Sequence, residues 1–282
     1  MTVETLERRP VLGQIYATAA LSGKKSGSSL PETTLRLEGH RVDRKELLDY
    51  ERICGFENSD QLPHTFPHVV GFPLQMKLMS RKDFPLPLMG MVHLENVITT
   101  HRAIDFEEPL DIAVRAEGLR DHPKGRVLDL VTEVDVDGER VWEGRSTYLS
   151  RGRGDADASR GEQPPPVPTG AATAKWSLPG DLGRTYGLAS GDVNPIHMSA
   201  LTAKAMGFPK AIAHGMWTYA RTMAALGPRA RGAVTSHVWF KKPVLLPAKV
   251  DLVVDPAAEP LVAGLRSSRT PETEHLVLTL QA

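Results

Sequence analysis

Two side chains able to carry protons lie close together in SGDVNPIH, Ser190 to His197. Asp192 supplies a carboxylate, and His197, five positions on, an imidazole. Between them Asn194-Pro195 breaks helices and starts turns, so the pair is presented from a bent backbone rather than stacked on a helix face. An acid and a base held at fixed separation can transfer protons. The plain alternative is that Asp192 caps the segment after Asn194 and His197 is a hydrogen-bonded core histidine.

Other reactive residue types carry less. Cys54 is the one cysteine, so no intramolecular disulfide can form, which fits a reducing compartment. Beside Ile53 and Gly55 it reads as small core filler rather than a nucleophile. Ser190 lacks a GxSxG elbow and reads as a structural hydroxyl. His64 and His68 in HTFPH have i, i+4 spacing, but Pro67 interrupts a helix there and no acidic third ligand follows, so no metal is expected. The RGRG at Arg151 to Gly154 lacks the Walker lysine, and Arg153-Gly154-Asp155 is a chance tripeptide. No cofactor is expected.

The elements that must position Asp192 and His197 follow from the pattern. AIAHGMWTYARTMAALG, Ala211 to Gly227, reads as a helix apolar nearly all round and therefore buried, stopped by Gly227-Pro228. After it AVTSHVWF, AKVDLVV, LVAGLRS and HLVLTLQ read as strands separated by Pro and Gly. The first half repeats the order: a Met-rich helix around Pro73 to Met79, then GMVHLENVITTHRAI, LDIAVRAEGL, RVLDLVTEVDVDG and RVWEGRSTYLSRG, with a hairpin turn at Asp137-Gly138. A buried helix followed by antiparallel strands is an α+β layout in which the sheet wraps the helix.

A Pro/Gly-rich stretch divides the chain into residues 1–150, a linker at 151–172 stiffened by Pro164 to Pro166, and residues 173–282. The two parts match each other in order, as duplication would leave them. Tyr50 meets Tyr186, Gly55 meets Gly191, Asn58 meets Asn194, Gly71 meets Gly215 and Pro109 lies beside Pro247. Where the second part has Asp192 and His197 the first has Phe56 and Gln61, so the first part lacks the pair.

The bulk numbers set the frame. Lys+Arg and Asp+Glu both number 34, and a net charge of zero gives no positive surface for nucleic acid. Lys24-Lys25 and Lys241-Lys242 read as solvated faces. There is no apolar run long enough for a membrane helix, and MTVETLERRP lacks the apolar core of a secretory signal, so a cytoplasmic protein is expected.

Tyr186, Ser190-Gly191-Asp192, Asn194-Pro195-Ile196-His197 and Ala213-His214-Gly215-Met216 together resemble the signature of MaoC-like (R)-specific enoyl hydratases and 3-hydroxyacyl-thioester dehydratases. That resemblance implies a double hotdog, each repeat a long central helix wrapped by an antiparallel sheet. It implies reversible hydration of trans-2-enoyl thioesters to (R)-3-hydroxyacyl thioesters, carried by CoA or acyl carrier protein, in fatty-acid metabolism. Asp192 and His197 would be the general acid/base pair and the Gly215 N–H the oxyanion donor. Asn194, Ser190, Tyr186 and His214 would orient the pair or the substrate, with His214 packing or anchoring the loop rather than acting directly. The first part would line a tunnel for medium to long acyl chains, and double-hotdog chains can pair further as a homodimer. The alternatives are a hotdog acyl thioesterase and a non-catalytic acyl-thioester-binding protein.

Overall fold

A computed structural model describes residues 2–21 and 27–282; Lys24 and Lys25 lie outside the described residues. The first half runs β1 (Thr2–Leu6), α1 (Leu12–Leu21), β2 (Thr33–His40), α2 (Arg44–Cys54) and α3 (Phe66–Ser80), then β3 (Met91–Thr100), β4 (Leu110–His122), β5 (Gly125–Val136) and β6 (Glu139–Arg151). The second runs β7 (Ala174–Leu178), α4 (Leu182–Ser190), α5 (Pro195–Met198), α6 (Ala200–Ala205) and α7 (Gly215–Leu226), then β8 (Val234–Phe240), β9 (Ala248–Asp255), β10 (Leu261–Ser267) and β11 (Glu274–Gln281).

The strands form one 11-stranded sheet in the order β1-β2-β4-β5-β6-β3-β8-β11-β10-β9-β7. Exchanging β2, β4, β5, β6 and β3 for β7, β9, β10, β11 and β8 reproduces the order from the other end, so both halves share one layout. They join antiparallel at β3–β8, where Asn96 lies opposite Val238 and Ile98 opposite Ser236, all four buried on the helix side. One pairing departs from the antiparallel expectation: β1 runs parallel to β2. A parallel partner needs a crossover, and the chain containing α1 provides it.

Two buried helices fill the wrapped sheet. In α3 each residue from Phe66 to Met79 except Lys77 is buried, so tertiary packing rather than an amphipathic stripe holds it. It begins earlier than the Met-rich stretch suggests because Pro67 sits in its first turn, where a missing N–H costs no helix bond. Packing also compensates for the backbone bond that Pro73 removes mid-helix. Truncating a fully buried residue such as Leu74 to Ala would cost about 2–5 kcal/mol.

The second helix is shorter at its start than the expected Ala211 to Gly227. Residues 211–213 are instead drawn into pairing with residues 244–246, through Ala213 N–H to Val244 O and Leu246 N–H to Ala211 O. The internal match holds around Tyr50 and Tyr186, since α2 and α4 both end on a left-handed glycine, Gly55 and Gly191, each at φ 76°. Pro109 and Pro247 each precede the equivalent strands β4 and β9. The helix register slips: Gly71 lies inside α3, whereas Gly215 is the first residue of α7.

Residues 152–173 hold no helix or strand; they begin on the first half, where Gly152 and Asp155 donate to Lys124 O and His122 O, and end fastened to the second. Buried Val167 lies where a side chain on Gly264 of β10 would be, 2.6 Å from the position of a Cβ there. Arg266 of the same strand donates to Gly170 O at 2.8 Å.

Candidate active site

The loop between α4 and α5 is built by its own polar groups. The Ser190 hydroxyl donates to Tyr186 O at 2.9 Å and accepts from the Asp192 amide at 3.3 Å, tying the end of α4 to the next turn. The left-handed Gly191 then reverses the chain. The Asn194 amide donates to Asp192 Oδ1 at 3.2 Å, while the Asn194 side chain caps α5 through the Ile196 amide. Asn194 therefore touches the carboxylate through its backbone, and Pro195 at the first position of α5 fixes where His197 begins.

Three side chains converge here. One ligand atom each from Asp192, His197 and His214 lie within 4.8 Å of one another. His197 Nδ1 is 2.8 Å from Ile212 O, an acceptor, so Nδ1 carries the proton and Nε2 keeps its lone pair. His214 Nε2 is likewise 2.8 Å from Asp192 O and must donate to it, with Asp192 Oδ2 farther off at 3.7 Å. The two imidazoles stack with centroids 3.6 Å apart, and the Tyr186 ring packs on His214 at 4.8 Å.

Burial lowers His197, against the pull of Asp192 and Ile212 O, and takes His214 down to about 3, so both rings are neutral at neutral pH. Burial alone raises the Asp192 carboxyl. The neighbouring histidines, the Tyr16 hydroxyl and the Asn194 amide outweigh it and hold the group below the usual carboxylate range.

His214 is also the N-cap of α7, which places Gly215 at that helix's first position. The first amides of a helix have no carbonyl partner within it and attract negative charge. A Cβ on Gly215 would stand 3.1 Å from two ring carbons of Phe240, so the small residue keeps this helix start open.

These groups line a cavity of about 390 Å³ that both halves enclose. The first half contributes Tyr16, His68, Phe72, Met76, His93 and Tyr148 among its walls. No local pattern marks Tyr16, whose hydroxyl donates to Asp192 Oδ1 at 2.9 Å from 176 positions upstream. His68, singled out only for its spacing to His64, stacks with His93, which in turn stacks on Tyr148 at 4.5 Å.

Asp192, His197 and His214 are the grouping among the described residues whose types could hold a metal ion. Two of their ring nitrogens are already engaged by carbonyl oxygens. His64 has both ring nitrogens on hydroxyls, those of Thr100 and Ser236, and lacks a free lone-pair nitrogen for a metal shared with His68.

A wrapped helix in each half and a carboxylate–imidazole site at their junction define a two-unit hotdog protein. A family model described as "MaoC like domain" matches residues 165–260. The 3-hydroxyacyl-thioester dehydratase X of Mycobacterium tuberculosis is 37% identical over 243 residues, 84% of this chain and 85% of that one. The 3-hydroxyacyl-thioester dehydratase Y of the same organism is 30% identical over 169 residues, 55% of this chain and 58% of that one. The crystal structure of HtdX from M. tuberculosis superposes with a TM-score of 0.77 at 35% identity, covering 88% of this chain and 98% of that one. The chain belongs to the MaoC-like 3-hydroxyacyl-thioester dehydratase family. No helix among the described residues is long and apolar enough to cross a membrane.

Proposed function

We propose that this protein is an (R)-specific hydro-lyase that interconverts trans-2-enoyl and (R)-3-hydroxyacyl thioesters of medium to long acyl chains in fatty-acid metabolism. One observation carries this reading: Asp192, His197 and the N-terminus of α7 meet on the wall of one cavity large enough to take an acyl chain.

Dehydration removes a proton from C2 and a hydroxyl from C3. Asp192 ionised and His197 neutral with Nε2 bare are both acceptors, so the site begins with no proton to give. The proton taken from C2 is then the one that leaves with the C3 hydroxyl as water, handed across the pair. In hydration the same two groups grip one water, which adds hydroxyl to C3 and returns its proton to C2. The thioester oxygen gains charge as the enolate forms, and the Gly215 amide at the start of α7 stabilises it. His214 anchors the Asp192 backbone, and Tyr186 and Ser190 brace the loop.

Exposed Arg151 and Lys242 at the cavity's edge favour a carrier bearing phosphates, either CoA or the prosthetic arm of acyl carrier protein. The buried, unpaired Cys54 is compatible with a cytoplasmic setting. The test is loss of the conjugated-thioester absorbance when enoyl-CoA is added, with chiral analysis of the 3-hydroxy product. Release of free thiol without hydration would replace this reading with a thioesterase.

A further inference from the structure

The proposed base, Asp192, receives a hydrogen bond from a residue of the other half. Helix α1 lays Leu12, Ile15 and Tyr16 on one face, as i, i+3, i+4 spacing does. Leu12 and Ile15 are buried, and Leu12 Cδ1 reaches within 3.1 Å of where a Cβ on Gly191 would stand. The helix is thus seated on the loop that carries Asp192. From that seat the Tyr16 hydroxyl reaches Asp192 Oδ1 at 2.9 Å, with Met76 Sδ of α3 at 4.0 Å on its other side. A phenol has one proton, and a carboxylate oxygen is a far better acceptor than a thioether.

We propose that Tyr16 is a positioning residue for the reaction: it and the Asn194 amide fix Asp192 Oδ1, leaving Oδ2 as the oxygen that handles protons. A carboxylate turns freely about its last bond, so without donors either oxygen can face the substrate. Two donors on one oxygen, at 2.9 Å and 3.2 Å, select the other. His214 Nε2 stands 3.7 Å from Oδ2, too far for a hydrogen bond, and its N–H is committed to Asp192 O. Burial and the adjacent carboxylate both raise the Tyr16 phenol, which keeps it a donor throughout the working range. The half that lacks the acid–base pair therefore contributes a group in direct contact with it.

The inference rests on the hydro-lyase reading, and the experiment separates the two. Tyr16→Phe removes only the hydroxyl and keeps the ring in place. A charge-assisted hydrogen bond of this kind is worth about tenfold or more. We expect kcat to fall about tenfold with KM nearly unchanged, and the acid limb of the pH–kcat profile to move up by about one pH unit, because the carboxylate loses a donor that favours its charged form. A packing role alone would lower the melting temperature without moving that limb. Wild-type kcat and pH profile in Tyr16→Phe, beside an inactive Asp192→Asn, would overturn the role of Tyr16 and leave the site reading standing. A faster Tyr16→Phe enzyme would also overturn it, marking the phenol as an obstruction. Full activity in Asp192→Asn would instead remove the site reading itself.

Discussion

Tyr50 and Tyr186 lie 6.2 Å apart, ring centroid to centroid, each on the helix that leads into a left-handed glycine. Beyond those glycines the halves part. Phe56 stands where the second half has Asp192 and turns back to stack on Tyr50 at 6.2 Å. Gln61, in the place of His197, is exposed and pairs by backbone with Asp105. A cavity of about 230 Å³ beside them is lined by Glu51 and His64, but both ring nitrogens of His64 are held by the Thr100 and Ser236 hydroxyls. The halves should therefore respond oppositely to substitution. Asp192→Asn and His197→Ala should each lower kcat by about 10²-fold or more with folding intact. Gln61→Ala should keep activity within about twofold, as an exposed surface change does. Rates on a trans-2-enoyl-CoA, with circular dichroism as the folding control, check all three.

Activity should fall on the acid side only. Both Asp192 and His197 sit below their ordinary values, so both are deprotonated and able to accept protons at neutral pH. Protonating either one as pH drops removes an acceptor, and the loss should begin below the ordinary histidine value of about 6.5. A kcat/KM profile from pH 4 to 9 that is flat through neutrality and falls below it is the expected result. An acid limb centred above pH 7 would contradict it.

Stability should weaken over the same range for a different reason. Burial takes His64 to about 3 and His68 to about 4. Their folded values lie below the unfolded value of about 6.5, so between the two the unfolded chain binds more protons. Their neutral forms favour folding above about pH 6.5, and that contribution is lost as pH falls toward 3–4. By pH 5 each should have cost on the order of 2 kcal/mol, read as a drop in denaturant midpoint between pH 7 and 5. His64→Gln should flatten the dependence even if it lowers the midpoint at pH 7.

Much of this fold is legible because its signals are local. The strands β8 to β11 announce themselves by Val and Leu runs between Pro and Gly, and the turn after β5 by Asp137-Gly138, which takes φ of 51° and 82°. The loop of Asp192 and His197 is legible because its residues bond to one another within a few positions. Helix α1 is not legible, since its chemistry depends on a contact 176 positions away that no local spacing encodes. The slip between Gly71 and Gly215 has a similar origin. Both helices are apolar nearly all round, so periodicity fixes neither their phase nor their start. Pro67, which looks like an interruption, sits in the first turn of α3. The five-residue edge strands β1 and β7 are too short to show a pattern.

Gly215 is constrained by space as well as by chemistry. A methyl there meets the Phe240 ring at 3.1 Å, so that ring, which also lines the cavity, must give by a few tenths of an ångström. Gly215→Ala should lower kcat by about tenfold to a hundredfold, in the range seen when an oxyanion donor is displaced. Phe240→Leu, by removing the ring, should recover part of that loss in the double variant. A double variant no faster than Gly215→Ala would place the obstruction at the substrate oxygen rather than at Phe240.

The cavity wall contributed by the first half makes chain length testable. Val69 and Phe72 on α3 line it, and Val69 is buried. Val69→Phe adds a ring's volume to that wall, at a stability cost of about 1–3 kcal/mol from overpacking. If the acyl chain runs along α3, kcat/KM for a long enoyl thioester should fall at least tenfold relative to the four-carbon one, whose chain ends before the wall. Equal losses for both would mean that the substituted ring disturbs Asp192 or His197 instead. A wild-type preference for the four-carbon substrate would show that the first half does not serve as a channel. Tyr16 would still give it a hydrogen bond to Asp192.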